Sequence, residues 1–133
     1  MLVIGMVPIL FLIVAVGTDA AVLFSHRRAL AATAEAAALA GAQSADLAKL
    51  YAGKATAGLP LDCRQAQQVI AKQLRVASVD VRAGRVELDR TTCDGRKVSV
   101  RLRSTARLPF VATLGVAPTV TVRASATATS PFR

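Results

Sequence analysis

Two cysteines and one histidine are the side chains of this 133-residue chain with the most chemistry to offer. Cys63 and Cys93 stand 30 residues apart, and neither has a His or a second Cys at zinc-ligand spacing, so no metal site is expected. A disulfide between them is a better reading than two buried free thiols, provided the compartment is oxidising. Closing a loop of that length contributes about 3–4 kcal/mol on the chain-entropy account. His26 has no partner cluster and reads as a plain polar residue beside an apolar segment. The serines lie near no candidate base. The carboxylates Asp62, Asp80, Glu87, Asp89 and Asp94 follow no spacing that marks a pair for acid–base work, and no Gly-rich phosphate loop is present. An enzyme is therefore not expected, nor a cofactor, nor a small-molecule substrate.

Charge offers a second kind of chemistry. The net charge is +9, carried mostly by arginine. Such a balance suits an anionic partner: nucleic acid, a surface polymer or a phospholipid surface. Arg82, Arg85, Arg90, Arg96, Arg101, Arg103 and Arg107 are dispersed along several expected strands rather than blocked together. No aromatic residues alternate with them, so the stacking half of a single-strand binding surface is missing. A solvated basic surface is the favoured reading, and nucleic acid is not the favoured partner.

The elements that carry these residues begin with an apolar run. Met1 to Thr18 contains no charged residue, Asp19 interrupts, and Ala20 to Phe24 resumes the run. That is long enough for a transmembrane helix. A cleaved signal peptide would start with a basic region and carry a shorter apolar stretch, so a retained single-pass anchor over residues 1–24 is expected. Arg27 and Arg28 follow the run, and the positive-inside rule alone would hold them in the cytoplasm. The cysteine pair argues for the opposite orientation, with the head extracytoplasmic. That orientation expects basic residues upstream of Met1, the apolar run beginning so abruptly that the start reads as truncated. Asp19 falls at the boundary, either as an interfacial residue or as a registry contact with a neighbouring subunit.

Beyond the anchor, nine of the fourteen residues from Ala29 to Ala42 are alanine, the best helix former. One rod from Met1 to about Tyr51 is expected, roughly 75 Å long at 1.5 Å per residue, with Pro8 as a candidate kink. Gly53 and Gly58-Leu59-Pro60 end the pattern. Ala34, Ala38 and Ala42 lie four apart, as do Ala37, Gly41 and Ala45. Small residues at that spacing allow another backbone to approach closely, so this face is expected to meet a helix of another subunit while a different side lies on the head's sheet; an alanine-rich composition alone is the alternative. Residues 25–58 thus form the continuation of the rod and a linker.

Residues 59–133 form the head. Asp62 is a plausible N-cap for a short helix from about Cys63 to Leu74, with Ala66, Val69, Ile70 and Leu74 as its apolar stripe. The period then changes to two: Val79 and Val81; Val86 and Leu88; Val98, Val100 and Leu102; and, after a loop from Pro109 to Pro118, Val120, Val122, Ala124 and Ala126. Ala83-Gly84 and Asp94-Gly95 mark turns. The expected fold is α+β: a long helix, a short helix and a roughly four-stranded antiparallel sheet with one wet face, pilin-like in outline. Its core of small side chains is thin, which a disulfide would offset.

Three stretches carry a family resemblance: Gly17-Thr18-Asp19-Ala20-Ala21-Val22, then Arg27-Arg28-Ala29-Leu30, then Ala34-Glu35-Ala36-Ala37-Ala38-Leu39-Ala40-Gly41-Ala42. Together they resemble the N-terminal region of TadE/TadG-like Flp pilus-assembly proteins: an apolar helix, an Asp near its end, a basic pair and an alanine-rich run. Glu35 stands where that family usually has Asp. Leu108-Pro109-Phe110, Leu114-Gly115 and the alternating Val120–Ala128 strand are similar to its C-terminal half. The resemblance implies a minor pilin or pseudopilin of a tight-adherence (Tad) secretion system, anchored in the bacterial cytoplasmic membrane and assisting assembly of Flp pili or entering them. Its implied partners are other pilin-like subunits, the Tad machinery and membrane lipid. The alternative is a membrane-tethered extracytoplasmic module whose basic head binds DNA, surface polymer or lipid. In one respect the chain departs from prepilins of this type, which are cut after a Gly followed five residues later by Glu. Gly5 is followed there by Leu10, so peptidase processing is not implied.

Overall fold

The computed structural model describes residues 2–44, 61–77, 85–94, 96–113, 115 and 119–130. Helix α1 spans Leu2–Gln43, helix α2 Cys63–Ala77, strand β1 Val86–Cys93, strand β2 Lys97–Arg107, helix α3 Pro109–Thr113 and strand β3 Thr119–Thr129. The three strands form one antiparallel sheet in the order β1-β2-β3. The expected first strand, at Val79 and Val81, and the Ala83-Gly84 turn lie outside the described residues, as does the rod beyond Ser44, so three strands are seen rather than roughly four.

Helix α1 is continuous through Pro8 and through the alanine-rich stretch, and its 42 residues make it about 63 Å long. Helix α2 starts where the Asp62 carboxylate accepts hydrogen bonds from the Arg64 and Gln65 amides at 2.9 and 3.3 Å, satisfying two donors of the first turn. Its buried stripe is Ala66 and Ile70, with Val69 and Leu74 half-buried.

Strand β2 alternates cleanly. Val98, Val100, Leu102, Ser104 and Ala106 are buried on one face, and Lys97, Arg101, Arg103, Thr105 and Arg107 are exposed on the other. Register then fixes the inward row of β3, with Ala128, Ala126, Ala124, Val122 and Val120 opposite those five buried residues in turn. Strand β1 departs from a simple alternation. Leu88 pairs with Leu102 and Arg90 with Arg101, so Asp89 is an extra residue in a bulge. The bulge shifts the phase by one, and the inward residues become Val86 and Leu88 before it and Thr91 and Cys93 after it. Leu88 nevertheless stays 45% exposed, because it lies on an edge strand that the helices cover only in part.

Helix α1 lies across the inner faces of β3 and β2 and against α2, while α2 reaches β1. The core is small: Leu30, Ala34, Ala37 and Ala38 from α1, Leu61, Ala66 and Ile70 around α2, and the buried rows of β2 and β3. Only Leu30, Ile70, Leu102, Val98 and Val100 are large and fully buried among the described residues, at about 1.5–3 kcal/mol each.

Candidate functional site

Helix α1 has two surfaces of different kinds. From Met6 to Val16 its apolar side chains are uncovered all round, with Phe11 at 68% and Leu12 at 64% exposure. The helix is long and apolar enough to cross a membrane. From Leu30 onward one face is sealed against the head. The change of character begins at Asp19.

Asp19 is only 8% exposed. Its two carboxylate oxygens accept hydrogen bonds from the backbone amides of Phe110 and Val111, at 3.2 and 3.1 Å. Both amides belong to the first turn of α3, where N–H groups find no acceptor within the helix itself, and Pro109 before them has no N–H to satisfy. An acid on α1 therefore caps a helix 91 residues away in sequence. A charge-assisted bond of this kind is stronger than a neutral one, and the carboxylate is drawn off the outer surface of α1.

About two turns further on, His26 Nε2 lies 3.1 Å from Ser104 Oγ, and both residues are buried. The pair ties α1 to the middle strand. Its atoms are of nucleophile and base type, but the packed helix and sheet enclose them. Still further along, Gly41 approaches α2 so closely that a Cβ there would stand 2.8 Å from Ile70 Cδ1 and 3.5 Å from Val98 Cγ1.

These three contacts orient the head. From Gly41 to His26 the helix descends about 22 Å, and from Val98 to Ser104 the strand advances about 20 Å. Strand β2 thus runs nearly along α1, back toward its bare end, and delivers α3 beside Asp19. The opposite end of the head is closed by the Cys63–Cys93 disulfide, Cα–Cα 5.8 Å, which joins the start of α2 to the end of β1.

The small-residue face, expected to meet a helix of a neighbouring pilin-like subunit, is instead turned inward within its own chain. Ala34, Ala37, Ala38, Gly41 and Ala42 are all buried, against α2 and the sheet. Ala45 lies outside the described residues. Spacing records how closely a partner can approach, not which chain supplies it. The Asp19–α3 clasp and Ser104 escaped sequence reading altogether. The available signal was Leu108-Pro109, a proline placed to open a helix inside a stretch read as loop.

The arginines that are scattered in sequence gather in space. On the outer sheet face, Arg103 stands between Glu87 and Arg123, and Arg101 stands beside Arg90. Glu87 takes Arg103 in an ion pair at 2.9 Å. The facing pairs Arg103–Arg123 and Arg90–Arg101 set like charges opposite one another, an arrangement that weakens a sheet. Arg107 continues this face toward α3, and Arg27 and Arg28 are exposed on α1.

Residues 1–55 match the family model described as "Putative Flp pilus-assembly TadE/G-like". The matched segment holds the bare stem, Asp19, the Arg27-Arg28 pair and the buried alanine face. No curated protein gives a significant match to the chain. No solved structure gives one either.

Proposed function

Because the chain opens with a TadE/G-like region, we propose that it is a minor pilin-like subunit, anchored by α1 in the cytoplasmic membrane, that assists assembly of Flp pili. One observation carries this reading. An uncovered apolar helix passes without a break into a folded head, all within and beside the matched segment. Such a surface is stable only in lipid or among other apolar helices, and both environments are those of a pilus-assembly subunit. The head faces the extracytoplasmic side, a placement favoured by the Cys63–Cys93 bond, which needs an oxidising compartment. The subunit works by packing and not by catalysis. Ser104 and His26 serve as an internal tie, and Asp19 with the Ala34–Ala42 face holds the head to its stem.

Deleting the gene should abolish or thin Flp pili, and the native chain should restore them. A photo-crosslinker at Leu12 or Leu39, both exposed, should capture pilin-like or Tad components. Normal pili in the deletion strain, or crosslinks to lipid alone, overturn the assembly role. A C-terminal reporter active only in the cytoplasm overturns the orientation.

A second reading, a tethered module for an anionic partner, draws on the convergence of Arg90, Arg101, Arg103 and Arg123 on the open sheet face. It expects binding that weakens steeply with salt. Absence of binding to acidic polymers at low salt removes it.

A further inference from the structure

The end of the head nearest the bare stem has features that the anchoring role does not use. Helix α3 is held at the level of Asp19. On the rest of its circumference, α1 stays apolar well beyond that level. Val22 is 36% exposed and Phe24 is 69% exposed, and Thr18 turns its hydroxyl back onto the Val14 carbonyl at 2.8 Å. Among the residues whose exposure is described, the uncovered apolar band reaches up to Phe24, about 29 Å beyond Gly5, so its upper end can lie within about 30 Å of bilayer hydrocarbon. Phe24 stands five residues above Asp19, about 7–8 Å nearer the head. A bilayer that rises high enough to shelter Val22 and Phe24 also rises past α3.

The depth that follows is that of an interfacial helix, about 5–10 Å into the boundary between headgroups and acyl chains. The side chains at this level suit it. Phe110 and Val111 are half-buried, leaving part of each to the surroundings. The one acid at this level among the described residues, Asp19, is engaged by the α3 amides, so its carboxylate is not presented to lipid. At its level and above it comes a collar of exposed cations. Arg107 ends β2 just before α3, Arg123 stands in the row of Arg103 next to the His26 level, and Arg27 and Arg28 follow Phe24 on α1. Glu87 offsets Arg103 in that row. Arginine stems of this length carry their guanidinium groups up to the phosphates.

We propose that the stem-proximal end of the head, α3 with Arg27, Arg28, Arg107 and Arg123, is a foot that sits at the boundary between headgroups and acyl chains, with its arginines reaching up to bind anionic phospholipid. It rests on the membrane-anchor reading and adds a defined seating of the head on the bilayer, which anchoring alone does not require.

The chain has no tryptophan, so a single introduced one reports without background. Full-length Phe110→Trp, the foot probe, and full-length Thr92→Trp, a reference at the far end, are reconstituted in vesicles of phosphatidylcholine alone or with three-tenths phosphatidylglycerol. Flotation is scored first. Failure of the unaltered chain to float overturns the anchor and the foot together. In floated protein, the foot probe should emit at shorter wavelength than the reference. Lipids brominated near the carbonyl region should quench it at least threefold more strongly, and iodide should quench it less. Phosphatidylglycerol should increase the bromolipid quenching, and the quadruple change of Arg27, Arg28, Arg107 and Arg123 to Gln should cancel that increase without reducing flotation. A floated protein whose foot probe is as open to iodide as the reference overturns the foot and leaves the anchor standing. Quenching that ignores phosphatidylglycerol, or that keeps its increase in the Gln variant, overturns the anionic-lipid assignment. Val111→Trp gives the same readout should Phe110→Trp not fold.

Discussion

The two halves of α1 are one helix with two kinds of surface. From Met6 to Val16 large side chains are bare on every side, whereas from Ala34 to Ala42 the residues facing the head are small and sealed. Burial in the second half depends on shape, because a glycine or alanine at each contact lets α2 and the sheet come close. In the first half no described part of the chain covers these side chains, and apolarity is what matters. Substitutions should therefore act on the head's folding in one half and on partitioning in the other.

The largest effect should come from a change that touches neither half. Replacing Cys63 and Cys93 by Ser should cost the head about 3–4 kcal/mol, read as a fall in its melting temperature in detergent, with dithiothreitol reproducing the loss in the native chain. Next comes the sealed half. Gly41→Leu must displace Ile70, and should destabilise the head by about 1–3 kcal/mol in the same melts. An unchanged melting temperature would show that α2 does not pack there. At the boundary, Asp19→Ala removes two charge-assisted bonds and leaves two amides of α3 bare, for about 1–3 kcal/mol. Hydrogen exchange should speed up at Phe110 and Val111 before it does in β2. In the bare half, Leu12→Ala should change head stability by less than about 0.5 kcal/mol, while Leu12→Arg should lower carbonate-resistant membrane retention at equal head stability. A head that unfolds with Leu12→Ala would erase the contrast between the halves. The smallest effect is expected at Glu87→Gln, within about 1 kcal/mol, because the Arg103–Glu87 pair is half exposed.

The same contrast explains what was legible in the sequence. Apolar runs and period-two alternation are local, so the long helix, the short helix with its Asp62 cap, and the two faces of β2 and β3 were all readable. The small-residue spacing was readable as a packing face. Its partner was not, since Ile70 and Val98 reach Gly41 only through the tertiary fold. The phase change in β1 depends on Asp89 having no opposite number in β2, and no feature of β1 alone records that. Helix α3, five residues long, is too short for a helical period, and its cap comes from Asp19 on the first helix. The arginine rows escaped for a related reason. Residues dispersed over three strands become neighbours only when the register is known.

The unbroken course of α1 has a mechanical consequence. A hydrogen-bonded helix resists twisting, and the head grips this one at Asp19, His26 and Gly41 along a single side. Any rotation imposed on the bare stem is therefore handed on to the sheet, and with it the compass bearing of the arginine face.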